Sequence, residues 1–169
     1  MSEAQYISYF ENLAKQSIAI GHDPDQGRYS FFYIEDPYNM EEIDLAIRNR
    51  LTLPALLLET SDGELDKNAT TNYTDTIKCV FSVIGKANTT EELRQSRDQC
   101  KRIGIEILAR MSHDSSRNAI VPGKNVYFRI EEVEYSPISV DTLFFGYQFS
   151  FRFVCPFGFS VDSAIWHDK

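Results

Sequence analysis

The stretch LFFGYQFSFRFVCPF, residues 143–157, constrains the fold more than any other part of the sequence. Because successive side chains of a β-strand point to opposite faces, a strand with one buried face alternates apolar and polar residues. Gly146, Gln148, Ser150 and Arg152 hold even positions, with Phe144 and Val154 as exceptions. The odd positions are all apolar: Leu143, Phe145, Tyr147, Phe149, Phe151, Phe153 and Cys155. This stretch therefore predicts a long strand, since a membrane helix needs about 20 apolar residues without polar interruption.

The size of the chain predicts one domain that spans residues 1–169. Of its 169 residues, 43% are hydrophobic, which is enough for a core without disulfides or metal. Residues 156–169 are expected to form an extended C-terminal tail because their last part has no firm period.

Net charge and the N-terminus exclude several classes of protein. The formal charge is −8, and no basic block offsets it, so specific binding to nucleic acid is not expected. The N-terminal residues are acidic and polar where a signal peptide would be basic and then apolar. We therefore expect a cytoplasmic protein that does not enter a membrane.

Two helices and five strands are predicted from periodicity, with a further short helix from Asn39 to Arg50. The N-terminal helix begins at Ser2, which forms a capping box with Gln5, and the central helix spans Thr90–Met111 behind Thr89 and Glu92. The polar segments Ser61–Asn72 and Ser112–Lys124 are predicted loops. The strands are predicted in residues 28–35, 54–60, 73–86, 125–136 and 143–157, with a turn at 136–142.

These elements predict an α+β fold. The sheet is expected to be antiparallel or mixed, with about four to five strands, and to be covered on one face by the central and N-terminal helices.

Residues able to do chemistry are few and scattered. His22, His113 and His167 each precede an aspartate, but adjacent side chains seldom converge on one ligand. No metal-binding, phosphate-binding or nucleophile motif is present, and the acidic run from Asp62 to Asp66 does not fit a calcium loop. Cys79, Cys100 and Cys155 are odd in number and widely spaced, so we expect buried free thiols. The sequence thus predicts no cofactor, no metal and no enzyme activity.

The order of elements from about Leu53 to Phe153 resembles the phage tail-terminator or tail-completion proteins. The segments that carry the resemblance are LPALLLETSDGE, DTIKCVFSVIGKA, TEELRQSRDQCKRIGIEILARM and DTLFFGYQFSFRF. The last contains Asp141, Leu143, Gly146, Phe149 and Phe151 at the positions of the family's late strand. The resemblance implies a hexameric ring that caps the tail tube at the head–tail junction. Its partners would be copies of itself, the tail-tube protein and the head-completion protein, and its place would be the virion tail.

A subunit of such a ring needs two different, complementary surfaces. The two predicted loops are long enough to reach a neighbour, and Trp166 is an aromatic residue without a clear place in the core. The interface candidates are Asp62, Glu64, Leu65, Asp66, Arg117 and Trp166. Two alternatives stay open: a small α+β module that binds a ligand or a protein, and an enzyme whose residues follow no known motif.

Overall fold

The computed structural model describes residues 1–36, 51–67, 72–140, 142–160 and 164–165. The predicted helix from Asn39 to Arg50 lies outside these residues, as do Asp141, Trp166 and the pair His167 and Asp168.

One mixed sheet of seven strands organises the described chain. The α+β prediction is therefore confirmed, with more strands than the four or five expected. The strands are β1 (Phe31–Ile34), β2 (Ala55–Glu59), β3 (Asp62–Lys67), β4 (Tyr73–Lys86), β5 (Tyr127–Phe128), β6 (Glu134–Ser139) and β7 (Phe144–Phe157).

The antiparallel pair β4–β7 forms the centre of the sheet. Its register is unbroken over both strands, from Tyr73 opposite Phe157 to Lys86 opposite Phe144. Since a strand has two edges, β2 and β3 share the other edge of β4, and β5 and β6 share the other edge of β7. The outermost strand β1 is parallel to β2.

Two helices cover one face of this sheet. Helix α1 (Glu3–Gln16) lies over β1 and β2, and helix α2 (Thr90–Ser116) lies over β4, β5 and β7. The capping box of Ser2 and Gln5 is present, and Thr89 accepts a hydrogen bond from the backbone N–H of Glu92. Both helix starts predicted from sequence are thus confirmed.

The core between helices and sheet is built on aromatic rings. Phe149, Phe151 and Phe153 of β7 are buried, as the alternation predicts, but at the start of the strand the prediction is wrong: Leu143 is 38% exposed and Phe144 is buried. Phe149 stacks on Phe81 of β4 with ring centroids 5.0 Å apart, and Phe10 of α1 lies 5.8 Å from Phe81. A smaller apolar cluster lies on the opposite face: Ile34, Ala55, Leu57, Ile84 and Phe144.

Two glycines are required by close packing around β7. A Cβ on Gly146 would collide with the backbone carbonyl of Val83, and a Cβ on Gly104 of α2 would collide with the ring of Phe149. Glycine therefore lets β7 approach β4 at one position and lets α2 approach β7 at the other.

Several predicted boundaries are wrong. Residues 62–67 of the predicted loop Ser61–Asn72 form β3, and the predicted loop Ser112–Lys124 begins with the last turn of α2. The predicted strand 125–136 is divided into β5, a 3₁₀ turn at Ile130–Glu132 and β6. Strand β6 also occupies most of the predicted turn 136–142, and β7 extends two residues into the predicted tail.

The three cysteines are free and buried, as predicted. Burial raises the pKa of each thiol, in the case of Cys100 to about 11. Within the described residues, no helix is long and apolar enough to cross a membrane.

Candidate functional site

A three-stranded extension of the sheet carries β3, the one described strand that is exposed at every residue. We call it the arm, and it consists of β3, residues 73–78 of β4 and residues 152–157 of β7. Its base is in the core, where Ile77 and Phe153 are buried. Strand β3 makes its extensive contacts with β4 alone, and all six of its residues are exposed. The arm therefore presents a strand that adds little to the core.

Aromatic side chains gather at the tip of the arm. The rings of Tyr73 and Phe159 are 4.9 Å apart, and Phe157 lies 6.1 Å from Tyr73 and 6.0 Å from Phe159. The ammonium group of Lys67 lies 5.5 Å from the centroid of the Tyr73 ring. Phe159 is 65% exposed, and Leu65, which shares the arm face of Tyr73, is 64% exposed. We call these four apolar residues the apolar tip: Leu65, Tyr73, Phe157 and Phe159.

The opposite face of β3 is acidic. Asp62, Glu64 and Asp66 alternate along the strand, so their side chains share the face that points away from the helices. We call them the acidic row. A carboxylate oxygen of Glu64 lies 3.0 Å from Lys78 Nζ, and this hydrogen-bonded cation lowers the pKa of Glu64.

A groove of about 790 Å³ continues the acidic face toward the centre of the sheet. Six carboxylates and two cations line it, which leaves a formal charge of −4. The Arg152 guanidinium lies 3.2 Å from a carboxylate oxygen of Glu132. The side chain of Gln148 donates a hydrogen bond of 2.9 Å to Glu59, whose pKa is raised by burial. Among the described residues, no group of three or more possible ligands is arranged to hold a metal ion.

The far side of the molecule carries cations. Arg94, Arg97 and Lys101 follow one another at i, i+3 and i+7 along the flank of α2 next to β6 and β7. We call them the basic flank. Lys101 Nζ lies 4.7 Å from the Tyr135 ring centroid and 5.7 Å from that of Tyr147, and Arg97 lies 5.8 Å from that of Phe145. These contacts between cations and aromatic faces hold the flank against the sheet.

The predicted interface residues fall into two groups. Asp62, Glu64, Leu65 and Asp66 come together on β3, because they occupy one edge strand rather than a loop. Arg117 is exposed at the C-terminal cap of α2, and within the described residues no hydrogen bond or ion pair joins it to β3. Trp166 is outside the described residues.

The two described His–Asp pairs have structural partners instead of a common site. Buried Asp114 accepts hydrogen bonds from the Tyr9 hydroxyl at 3.1 Å and from Arg110 Nε at 2.8 Å. Burial and the nearby Asp114 carboxylate both raise the pKa of Tyr9. His22 is also buried, and its Nδ1 accepts a hydrogen bond of 3.0 Å from the backbone N–H of Ser30. These groups fix α1 to α2 and to the segment before β1.

Sequence reasoning missed the apolar tip and the basic flank. Tyr73 is distant in sequence from Phe157 and Phe159 and meets them only through the β4–β7 register. The spacing of Arg94, Arg97 and Lys101 was a detectable signal, because these positions form one stripe of a helix.

No protein-family model matches the chain, and no curated protein matches its sequence significantly.

Proposed function

We propose that this protein is a tail terminator or tail-completion factor of a phage or prophage, which assembles as a ring at the end of the tail tube. The arm is the observation that carries the proposal. It holds a six-residue strand and an apolar tip that contribute little to the protein's own core, and large exposed apolar groups mark protein interaction sites. The partners are copies of the same chain, the tail-tube protein and the head-completion protein.

The resemblance to tail terminators supports the proposal through β7. Four residues match the family's late strand: Leu143, Gly146, Phe149 and Phe151. In this fold the last three lie in β7, at the centre of the sheet, and Leu143 directly precedes that strand. Gly146 has a physical reason to be glycine, since any side chain would meet the Val83 carbonyl. A ring of six copies is what the resemblance implies.

Charge supports a place at a junction through which DNA passes. The chain has a formal charge of −8, and the groove beside the arm has −4. Such surfaces repel the phosphate backbone, so DNA would move past them without being held. In this proposal the protein acts by binding other proteins, without catalysis or a cofactor, first in the cytoplasm and then in the virion tail.

Co-sedimentation with purified tail tubes tests the proposal. Wild type should pellet with the tubes, and a variant with Leu65→Ser and Phe159→Ser should remain in the supernatant because its apolar tip is lost. Ile18→Ser is the matched control, because Ile18 is 99% exposed and lies outside the arm. All variants should keep native circular dichroism. Failure of wild type to bind tail tubes under any condition would refute the tail assignment.

The groove favours a second candidate, a binding module for a cationic ligand. Its volume of about 790 Å³ suits a small molecule or a peptide side chain, and its charge favours a cation. This reading predicts that a Lys- or Arg-rich peptide raises the melting temperature of the protein. It also predicts that Glu59→Gln and Glu134→Gln remove the effect.

A further inference from the structure

We propose that the acidic row of β3 in one copy docks on the basic flank of α2 in the next copy. This inference rests on the proposed ring and identifies the two surfaces that would close it. The acidic row is Asp62, Glu64 and Asp66, and the basic flank is Arg94, Arg97 and Lys101.

Within the part of the chain that the structure describes, the basic flank lacks anionic partners. Among the described residues, none of its three cations is within ion-pair distance of a carboxylate. Arg97 Nε is buried without a hydrogen-bond partner, although such groups are nearly always satisfied in folded proteins. In a chain of charge −8, these three cations, of which Arg97 and Lys101 face aromatic rings, constitute a local surface that attracts anions.

The acidic row has the complementary property. Asp62 and Asp66 form no ion pair within the described residues, and Glu64 forms one with Lys78. All three side chains are exposed on a strand whose outer edge pairs with none of the described strands. Charged residues on an edge strand prevent pairing with a like-charged edge, yet they permit docking on a surface of opposite charge.

The two surfaces are placed for a head-to-tail contact. Strand β3 lies beyond β4, whereas the basic flank lies beside β6, beyond β7, on the other side of the sheet. A contact between two different surfaces is heterologous, and such contacts generate a ring where the rotation between copies closes. Exposed apolar groups accompany the basic flank, where Ile105 and Tyr135 are 45% and 51% exposed.

Side chains rather than backbone strands make this contact. Pro137 lies in β6, opposite Tyr147, and proline has no N–H to donate to an added strand. It is tolerated there because its missing donor faces the free edge of the sheet. That edge therefore cannot accept a continuous ladder from β3, and the neighbouring flank of α2 provides the attachment.

Charge reversal provides the test. The first variant carries Asp62→Lys and Asp66→Lys, and the second carries Arg94→Glu and Lys101→Glu. A third, with Asp25→Lys and Glu106→Lys, is the control, because these exposed acids lie outside both surfaces and give the same change in charge as the first. Circular dichroism and urea midpoints establish that each variant is folded.

Sedimentation velocity over a concentration series gives the readout. We expect wild type and control to self-associate. Each reversed variant should associate at least about tenfold more weakly than wild type. An equimolar mixture of the two reversed variants should recover assembly, since alternating copies then present opposite charges at every contact. Raising the salt concentration from about 0.05 to about 0.5 M should weaken the association.

Three results would overturn the inference: a wild type that stays monomeric, reversed variants that assemble like wild type, or a mixture that does not recover. The binding of tail tubes is measured separately. Wild type that binds tubes while the reversals have no effect would leave the proposed function standing and refute only this pair of surfaces. Binding of the basic flank to DNA, detected by a mobility shift that Arg94→Glu and Lys101→Glu abolish, would also overturn it.

Discussion

Truncation of Phe149 to alanine is expected to cost about 3–5 kcal/mol of unfolding free energy, the usual range for a buried phenylalanine. The ring is fully buried and stacks on Phe81 with an interplanar angle of 18°. It also lies 5.9 Å from the Tyr135 ring and directly beneath Gly104. Each aromatic pair contributes about 0.5–1.5 kcal/mol beyond the buried area, so a value near the upper end is expected.

Urea denaturation followed by circular dichroism measures this loss. With a slope of about 2 kcal/mol per molar urea, the midpoint of Phe149→Ala should fall by about 2 M. Phe159→Ala is the matched control, since its exposed ring should change the free energy by less than about 0.5 kcal/mol. A Phe149→Ala variant that unfolds at the wild-type midpoint would refute the assignment of the odd positions of β7 to the core.

Gly104 provides an internal check on the same packing. In wild type, Gly104→Ala should destabilise the protein, because the added methyl meets the Phe149 ring. In the Phe149→Ala background the ring is absent, and the same change should stabilise by about 1 kcal/mol through the higher helix propensity of alanine. Equal effects in both backgrounds would show that α2 does not pack on Phe149.

Three further measurements address other parts of the chain. Burial lowers the pKa of His22, so at acidic pH the unfolded chain binds a proton at this residue more readily than the folded protein does. The contribution of neutral His22 to the free energy of unfolding is therefore complete above pH 6.5, the ordinary histidine value, and declines below it. His22→Asn should decline less between pH 7 and about pH 5, and an equal decline in both proteins would contradict the burial of neutral His22. The three thiols are buried, and the pKa of Cys100 is raised to about 11. They should react with a thiol reagent only after urea is added, so fast labelling of the native protein would be inconsistent with this core. A chelator should leave the melting temperature unchanged, whereas a fall of several degrees would reveal a structural metal.

Strands with one buried face could be predicted from the sequence. In residues 77–81 of β4 and 149–155 of β7 the buried side chains fall on alternate positions, and the alternation of apolar residues reports that burial directly. The start of α2 was equally clear, because Thr89 and Glu92 form a local hydrogen-bonded cap whose partners are close in sequence.

Strand β3 could not be predicted in this way. Its residues are exposed on both faces, so no hydrophobic period exists, and only pairing with β4 makes it a strand. The last turn of α2 was not predicted for a related reason. Asp114 lies in a polar segment that is typical of a loop, but its hydrogen bonds with distant Tyr9 and with Arg110 stabilise it in a buried helical turn. The acidic residues of the candidate site could be identified from the composition of their segment. The aromatic rings of the apolar tip could not, because they meet through pairing between strands that are far apart in the sequence, as in the contact of Tyr73 with Phe157.

The position of β7 in the sheet has a consequence for the synthesis of the protein. This strand is the last of the described strands, yet β4, β5 and β6 all pair with it. Until residue 157 has left the ribosome, the edges of β4 and β6 that pair with β7 are without their complete partner strand. The rings of Phe81 and Tyr135 also lack their contact with Phe149 until that residue has emerged. Nascent chains thus expose an unpaired strand edge from the synthesis of β4 until that of β7, which is the kind of surface that chaperones shield and that drives aggregation. Ribosome-stalled chains that end before Phe144 should therefore be protease-sensitive throughout, and the native state should form in one late, cooperative step.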